Sequence, residues 1–375
     1  MIIIYLIIIF ICGITTKVIF GTIYKVNMLF SFVWCTFSGL STIGLYGLYK
    51  PDTIIHIYVL SSIFIFNTFY FTISKLTKKS TVNNIDKHNM VEPNYKLIYI
   101  INLLALTYCS LFIKKALFII DTYGFSTLRT FAFKESAMYA STVELTIFQM
   151  IIQPIFIATT ILLAIDIALK RSRLLLVIIA IIDVLMYTFL FAGRMTLVQF
   201  ISIIFISLLL MDKTSLFQFI MNNKKYLLMI VGILILITFL TSHRTNSSSN
   251  VIEQVYLYLS APFIFLSKLN EMSPWQNNLL YGKATFGFIL DPLEMLYSVL
   301  FNTEYASASY IITSLTSKIQ IIGDNLTFNA LTTMLFPFMM DYGKLGIIIG
   351  PAFFASILAL VEFKLKSNLD LATCK

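Results

Sequence analysis

Nine long apolar stretches recur along this chain, with short polar segments between most of them. Such stretches are typical of membrane-crossing helices, because a lipid bilayer requires backbone amides to be hydrogen-bonded within the protein. Only 12% of the residues are charged, against about 25% in soluble domains. The sequence therefore predicts an all-α, polytopic integral membrane protein with spans at residues 2–14, 28–49, 53–73, 95–113, 145–169, 174–191, 195–211, 226–241 and 345–363.

Lysine and arginine residues fall mostly in the short loops between predicted spans, which explains the net charge of +9 without a nucleic-acid partner. Positive residues are retained on the cytoplasmic side of membranes, so the loops at 74–94 and 170–173 are predicted to be cytoplasmic. This topology places the N-terminus outside and the C-terminus in the cytoplasm.

The longest part of the chain without an uninterrupted apolar run is residues 242–340. We therefore predict a bundle of about eight spans at 1–241, a long extracytoplasmic segment at 242–341, and a last span with a short tail at 342–375. Within the long segment, residues 251–269 and 284–301 are either two further spans, for a total of eleven, or surface or re-entrant helices. Charged residues and prolines in both favour surface helices, because they are costly in lipid.

Arginine residues at predicted span ends are candidates for binding a charged substrate. Arg194 lies in a hairpin between two spans, and Arg244 follows the eighth span beside His243 on the same predicted side. Two guanidinium groups form a minimal clamp for a diphosphate, since each binds phosphate oxygens in a bidentate manner and keeps its charge. Arg129 is a third candidate. For Arg194, a snorkelling anchor at the membrane interface is an equally good interpretation.

Three aspartates occupy informative positions. Asp341 directly precedes the last predicted span, where it is a candidate catalytic carboxylate, a helix cap or a partner of Lys344. Asp183 lies near the middle of the sixth span, where an ionisable residue indicates either a functional site or a neutral helix-packing residue. Asp166 stands four residues before Lys170 and is predicted to pair with it.

Missing motifs argue against several classes of function. The chain has no P-loop, no dinucleotide-binding glycine fingerprint and no His-Glu metal pattern, and its predicted cytoplasmic loops are too short for a nucleotide-binding domain. Its cysteines have no metal-ligand spacing. The sequence therefore predicts no cofactor, no bound metal and no nucleotide-driven reaction.

Short motifs stand at predicted outer ends of spans: Ala192-Gly193-Arg194-Met195-Thr196, Ser242-His243-Arg244, and Asn329-Ala330-Leu331-Thr332 leading to Asp341-Tyr342-Gly343-Lys344-Leu345-Gly346. With the hydropathy outline of nearly the whole chain, they resemble the Wzy-type family, the repeat-unit polymerases of bacterial O-antigen and capsule synthesis. Two features depart from the family. An arginine followed after ten residues by glycine is absent, and the chain ends soon after the ninth span, so a short or truncated member is expected.

The resemblance implies a glycosyltransferase on the outer face of the bacterial cytoplasmic membrane. Such an enzyme moves a growing glycan from undecaprenyl diphosphate onto the next lipid-linked repeat unit. The expected partners are the lipid-linked oligosaccharide, membrane lipid, and a chain-length regulator and flippase of the same pathway.

The hypothesis for the site combines the resemblance with the clamp. Arg194 and Arg244 are expected to bind the diphosphate, while Asp341 orients or deprotonates the acceptor sugar. The expected substrate-binding residues are Arg129, His243, Tyr281, Asn329 and Tyr342. Aromatic residues of the long segment, Tyr256, Tyr258 and Trp275 among them, are also expected to bind sugar.

Two other functions stay open. An O-antigen ligase has a similar topology and also uses a long outer loop with basic residues and a histidine, so His243 favours it. A flippase or other transporter is favoured only by Asp183, and we find no internal repeat of the kind that transporters often show.

Overall fold

A computed structural model of the chain describes residues 1–23, 25–80, 93–124, 127–128, 131, 138, 144, 147–168, 171, 173–191, 195–211, 251–276, 279–301, 308–316, 318–328 and 332–373. Its principal elements in chain order are α1 Ile2–Phe20, α2 Val26–Ser41, α3 Thr53–Ser80, α4 Tyr95–Ser110, α5 Ile113–Tyr123, α6 Gln153–Ala168, α7 Leu174–Phe191, α8 Met195–Met211, α9 Val251–Met272, α10 Lys283–Phe301, α11 Ala308–Thr316, β1 Gln320–Gly323, β2 Leu326–Phe328, α12 Leu335–Tyr342 and α13 Gly346–Thr373.

Among the described residues, six helical stretches are long and apolar enough to cross a membrane: Ile2–Phe20, Thr53–Thr77, Tyr95–Tyr123, Met150–Ile167, Leu174–Phe191 and Leu335–Phe363. The protein is thus an all-α membrane protein, while the number of nine or eleven spans stays a prediction. Helices α2 and α8 are shorter, at 16 and 17 residues, and the predicted span at 226–241 lies outside the described residues.

The chain forms two compact units, residues 1–90 with 252–375 and residues 91–251. This division follows packing, whereas the predicted division at residues 241 and 341 follows membrane sides, so the two describe different properties. In the first unit, α3 packs along α13. Ala355 and Ala359 of α13 are buried there, and small residues one turn apart allow two helix backbones to approach closely. Phe30 of α2 stacks on Phe66 of α3, with ring centroids 3.8 Å apart.

Buried amides join the first three helices. The Asn27 side chain of α2 donates hydrogen bonds to the Thr16 hydroxyl of α1 at 2.7 Å and to the side-chain amide oxygen of Asn67 in α3 at 3.0 Å. Asn67 in turn donates to the Ser31 hydroxyl at 2.8 Å. Within a membrane, such hydrogen bonds between helices stabilise one register of the bundle.

An ion pair closes one end of this bundle. The Lys25 ammonium, between α1 and α2, pairs with the Glu362 carboxylate of α13, which also accepts a hydrogen bond from the Tyr70 hydroxyl of α3. The C-terminal end of α1 and the part of α13 around Glu362, where the predicted last span ends, therefore lie at the same end of the unit. The predicted topology requires this relation, because it places both ends on the cytoplasmic side. Which side that is remains a prediction.

A β-hairpin of the long segment lies at the opposite end of the same bundle. Strands β1 and β2 form an antiparallel hairpin that pairs with the loop between α2 and α3, through Tyr49 N to Ile322 O and Asp324 N to Gly47 O, both 2.8 Å. The hairpin was not predicted. The sequence contained a signal for it, because the turn-forming residues Gly323-Asp324-Asn325 separate two short apolar runs. In the structure, Asn325 adopts the φ of 56° that such a turn requires.

The second unit contains α4 to α8. Leu163 and Ala164 of α6, Ala180 of α7 and Phe200 of α8 form part of its buried core. The Asp166 carboxylate accepts a 2.8 Å hydrogen bond from the Tyr95 hydroxyl of α4 and lies 3.4 Å from Arg173 Nε, seven residues further along the chain. Lys170, the partner predicted for Asp166, lies outside the described residues.

Candidate functional site at the Asp341 junction

Asp341, at the end of α12, holds the first turn of α10. Its carboxylate accepts hydrogen bonds from the backbone amides of Ala284 and Thr285, each at 2.8 Å, and from the Thr285 hydroxyl. The residue is 0% exposed. A carboxylate satisfies the free amides at a helix N-terminus and complements the positive end of the helix dipole. The structure thus shows the helix-cap alternative for Asp341, although the helix it caps is distant in sequence.

Backbone hydrogen bonds bring Tyr281 to the same junction. Leu280 N donates to Met340 O at 2.9 Å, and Tyr281 N donates to Asp341 O at 3.2 Å. Tyr281 has a φ of 49°, which is rare for a bulky residue and is often found at functional sites. Its side chain is 77% exposed. The fixed backbone therefore presents an aromatic ring to the surroundings.

Tyr342 completes the group. Its hydroxyl lies against Gly282, and its side chain is half-buried. Three residues predicted for the site, Tyr281, Asp341 and Tyr342, are thus brought together by the fold, although 57 residues separate Ala284 from Asp341 along the chain.

Two glycines make the junction between α12 and α13 possible. Gly343 has a φ of 60° and a ψ of −144°, a conformation available almost only to glycine. Gly346 lies so close to the Phe338 carbonyl that a methyl group would collide with the backbone. The motif at residues 341–346 is therefore a structural requirement for this helix junction, whatever further role it has.

The charged groups of α10 form one ion pair and one hydrogen bond to a backbone amide. Lys283 Nζ lies 2.7 Å from Glu294 Oε1, and the Asp291 carboxylate accepts a 3.4 Å hydrogen bond from Ala308 N. Lys344 is exposed, and no ion pair joins it to Asp341, whose oxygens are engaged by α10. A separate group of apolar α10 residues is exposed: Ile289, Leu293, Leu296, Tyr297, Leu300 and Phe301. An apolar exposed surface with paired charges fits the predicted surface helix, which stays a prediction.

The aromatic residues expected to bind sugar differ in exposure. Tyr258 is 44% exposed. Tyr256 is buried, and its hydroxyl donates to Leu40 O at 3.0 Å. Trp275 is buried as well, and its indole nitrogen has no hydrogen-bond partner among the described residues. Of these candidates, Tyr281 and Tyr258 are therefore the ones available to a ligand.

Five predicted site residues lie outside the described residues: Arg129, Arg194, His243, Arg244 and Asn329. The arginine clamp consequently stays a prediction. Sequence reasoning missed Thr285, which provides two of the three donors to Asp341. Its signal was a turn at Tyr281-Gly282 followed by a threonine at a helix start.

Among the described residues, no group of three or more His, Cys, Asp or Glu side chains is arranged to hold a metal ion. No protein-family model, curated protein or solved structure matches this chain.

Proposed function

We propose that this protein is a membrane-embedded glycosyltransferase that polymerises lipid-linked oligosaccharide repeat units for O-antigen or capsule synthesis. It would transfer the growing glycan from undecaprenyl diphosphate to the next repeat unit at the outer face of a bacterial cytoplasmic membrane. The observation that carries the proposal is the Asp341 junction. There, Asp341 from one of the motifs that resemble the family is buried and hydrogen-bonded to the start of α10, next to the exposed Tyr281. Asp341 lies within the candidate membrane-spanning stretch Leu335–Phe363.

In the proposed reaction, an acceptor sugar hydroxyl attacks the anomeric carbon of the donor glycan. The bond between that carbon and the diphosphate oxygen breaks, the diphosphate leaves with the electron pair, and the hydroxyl proton passes to a base. Because the diphosphate is a good leaving group, the protein must mainly stabilise its charge and align the acceptor. Arg194 and Arg244 are the residues proposed for the charge, without a metal ion.

The contacts of Asp341 support a different role from the expected one. Both of its oxygens accept hydrogen bonds, and the side chain is fully buried. We therefore propose Asp341 as a positioning residue, which holds α10 and the backbone of Tyr281, and not as the proton acceptor. Tyr281 and Tyr342 then provide the aromatic surface for the sugar, since aromatic rings combine apolar area with a polar hydroxyl.

A second candidate, a transporter of lipid-linked oligosaccharide, is favoured by one observation. Asp183 is a fully buried carboxyl group in the middle of a candidate span, and neither oxygen has a partner among the described residues. Residues of this kind often mark proton or ion pathways in membrane proteins.

Deletion of the gene and separation of cellular glycolipids on a gel distinguish these functions. The polymerase proposal predicts that single lipid-linked repeat units accumulate at the outer face and that polymer is lost. Accumulation of unattached polymer would indicate a ligase. Intermediates retained at the inner face would indicate a flippase, and an unchanged glycolipid pattern would contradict all three.

A further inference from the structure

Asp183 is the tenth residue of the 18-residue helix α7. It is 0% exposed, and neither carboxyl oxygen has a hydrogen-bond partner in the part of the chain that the structure describes. The Thr188 hydroxyl, later on the same helix, is also buried without a partner among those residues. Within the described part of the chain, the middle of the helix therefore carries a buried acid without a hydrogen-bond partner.

Among the described residues, no positively charged side chain of the elements packed against α7 is paired with Asp183. The main elements packed against α7 are α4, α6 and α8. The π-helical turn Phe148–Ile152, which contains no ionisable residue, also packs against the end of α7 through Phe148. From α4, the buried Cys109 thiol lies within electrostatic range of Asp183. The other ionisable residues of α4 are Tyr95, Lys96, Tyr99 and Tyr108, and none of them is hydrogen-bonded to Asp183. The ionisable residue of α6 is Asp166, and α8 contains none.

Asp166 is a buried aspartate of the same unit that does have partners, and it serves as the comparison for Asp183. It is 2% exposed, but the Tyr95 hydroxyl donates to it and the Arg173 guanidinium lies 3.4 Å away. Arg173 also lies over the Tyr95 ring at 3.5 Å. The two aspartates are buried to nearly the same extent and differ in compensation. A buried carboxylate without a partner is strongly unfavourable, and the simplest remedy is to bind a proton.

We propose that Asp183 is a proton-binding site within the membrane, which takes a proton from water and holds it as a neutral carboxylic acid. The proposal does not depend on the proposed function, because it concerns only the chemical state of this side chain. A group that holds a proton at membrane depth can exchange it when water or a substrate reaches the helix, as in proton relays of membrane proteins.

Carbodiimide labelling tests this state directly. Dicyclohexylcarbodiimide reacts with the protonated acid: the acid proton passes to a carbodiimide nitrogen, the carboxyl oxygen bonds to the central carbon, and the acyl group migrates to nitrogen as a stable acylurea. The full-length protein in membranes is labelled at neutral pH, digested and mapped by mass spectrometry. We expect at least about tenfold more label on Asp183 than on Asp166, and less label on Asp183 as the pH is raised.

The internal comparison with Asp166 keeps the test independent of any variant. No label on Asp183 would overturn the proposal, because it would mean that the carboxyl group is charged and paired. Equal labelling of the two residues would overturn it as well, because it would mean that the missing partner of Asp183 does not set its protonation apart from that of Asp166. The Asp183→Asn variant provides a second measurement. It should lose the label at that peptide alone, and a label that persists there would also contradict the assignment.

Discussion

Asp341 accepts two hydrogen bonds from Thr285, one from its backbone amide at 2.8 Å and one from its hydroxyl, although 56 residues separate them. With the bond from Ala284, these contacts connect the last candidate span to the start of α10. The acidic residue most expected to act on substrate is therefore first a structural anchor.

Removal of this anchor should destabilise the protein. Asp341→Ala leaves the first amides of α10 without acceptors, and we expect a loss of about 2–3 kcal/mol in the free energy of unfolding. Asp341→Asn retains one acceptor oxygen and should lose less. Thermal unfolding in detergent measures both. Asp291→Asn is the control, because the hydrogen bond that Asp291 accepts among the described residues is a long one, 3.4 Å from Ala308 N. Equal effects of Asp341→Ala and the control would contradict the anchoring role.

Gly346 should not tolerate a side chain. A methyl group there meets the backbone of Phe338, and overpacking of this kind costs about 1–3 kcal/mol. Gly13→Ala is the matched control in another helix. Its added methyl would meet the end of Met28 at 3.7 Å, an ordinary contact, so we expect a change within about 1 kcal/mol. An unfolding temperature of Gly346→Ala equal to that of the wild type would contradict the close approach of Gly346 to the Phe338 backbone.

The ion pair of Lys25 and Glu362 should matter more than a surface pair. The side chains are 7% and 12% exposed, and removal of one partner from a buried pair costs about 3–5 kcal/mol. Lys25→Met should approach that loss. The double variant Lys25→Met/Glu362→Gln should recover much of it, because it leaves no unpaired charge and keeps an acceptor for Tyr70.

The exposed pair of Lys268 and Glu271 serves as the comparison for this prediction. Lys268→Met should change the free energy of unfolding by less than about 1 kcal/mol. Wild-type stability of both Lys25→Met and the double variant Lys25→Met/Glu362→Gln would show that the buried pair contributes nothing.

The two buried aspartates should respond in opposite directions to an apolar substitution. Asp183→Leu removes a buried polar group that has no partner among the described residues, so we expect an increase of about 1–3 kcal/mol in the free energy of unfolding. Asp166→Leu removes the acceptor of Tyr95 and the ionic partner of Arg173 and should lower stability. Thermal unfolding of both variants in the same detergent provides the comparison, and a loss of stability in Asp183→Leu would point to an unseen partner.

Local sequence patterns predicted the helices well, but they could not predict contacts between residues far apart in the chain. Apolar runs predicted helices where α1, α3, α7, α9 and α10 lie. The pairing of Lys25 with Glu362 joins residues 337 apart, and no periodicity indicates such a contact. Position alone also identified Asp341, but its role depends on Thr285, and only the folded arrangement of α10 and α12 shows that its oxygens are engaged.

The arginine clamp is the central claim of the proposed function. A deletion strain complemented with Arg194→Ala or Arg244→Ala should contain single lipid-linked repeat units and no polymer ladder. Arg171→Ala, in a predicted cytoplasmic loop, should restore the normal ladder, and immunoblots should show equal amounts of all three proteins in the membrane. Normal ladders from both Arg194→Ala and Arg244→Ala would contradict the clamp.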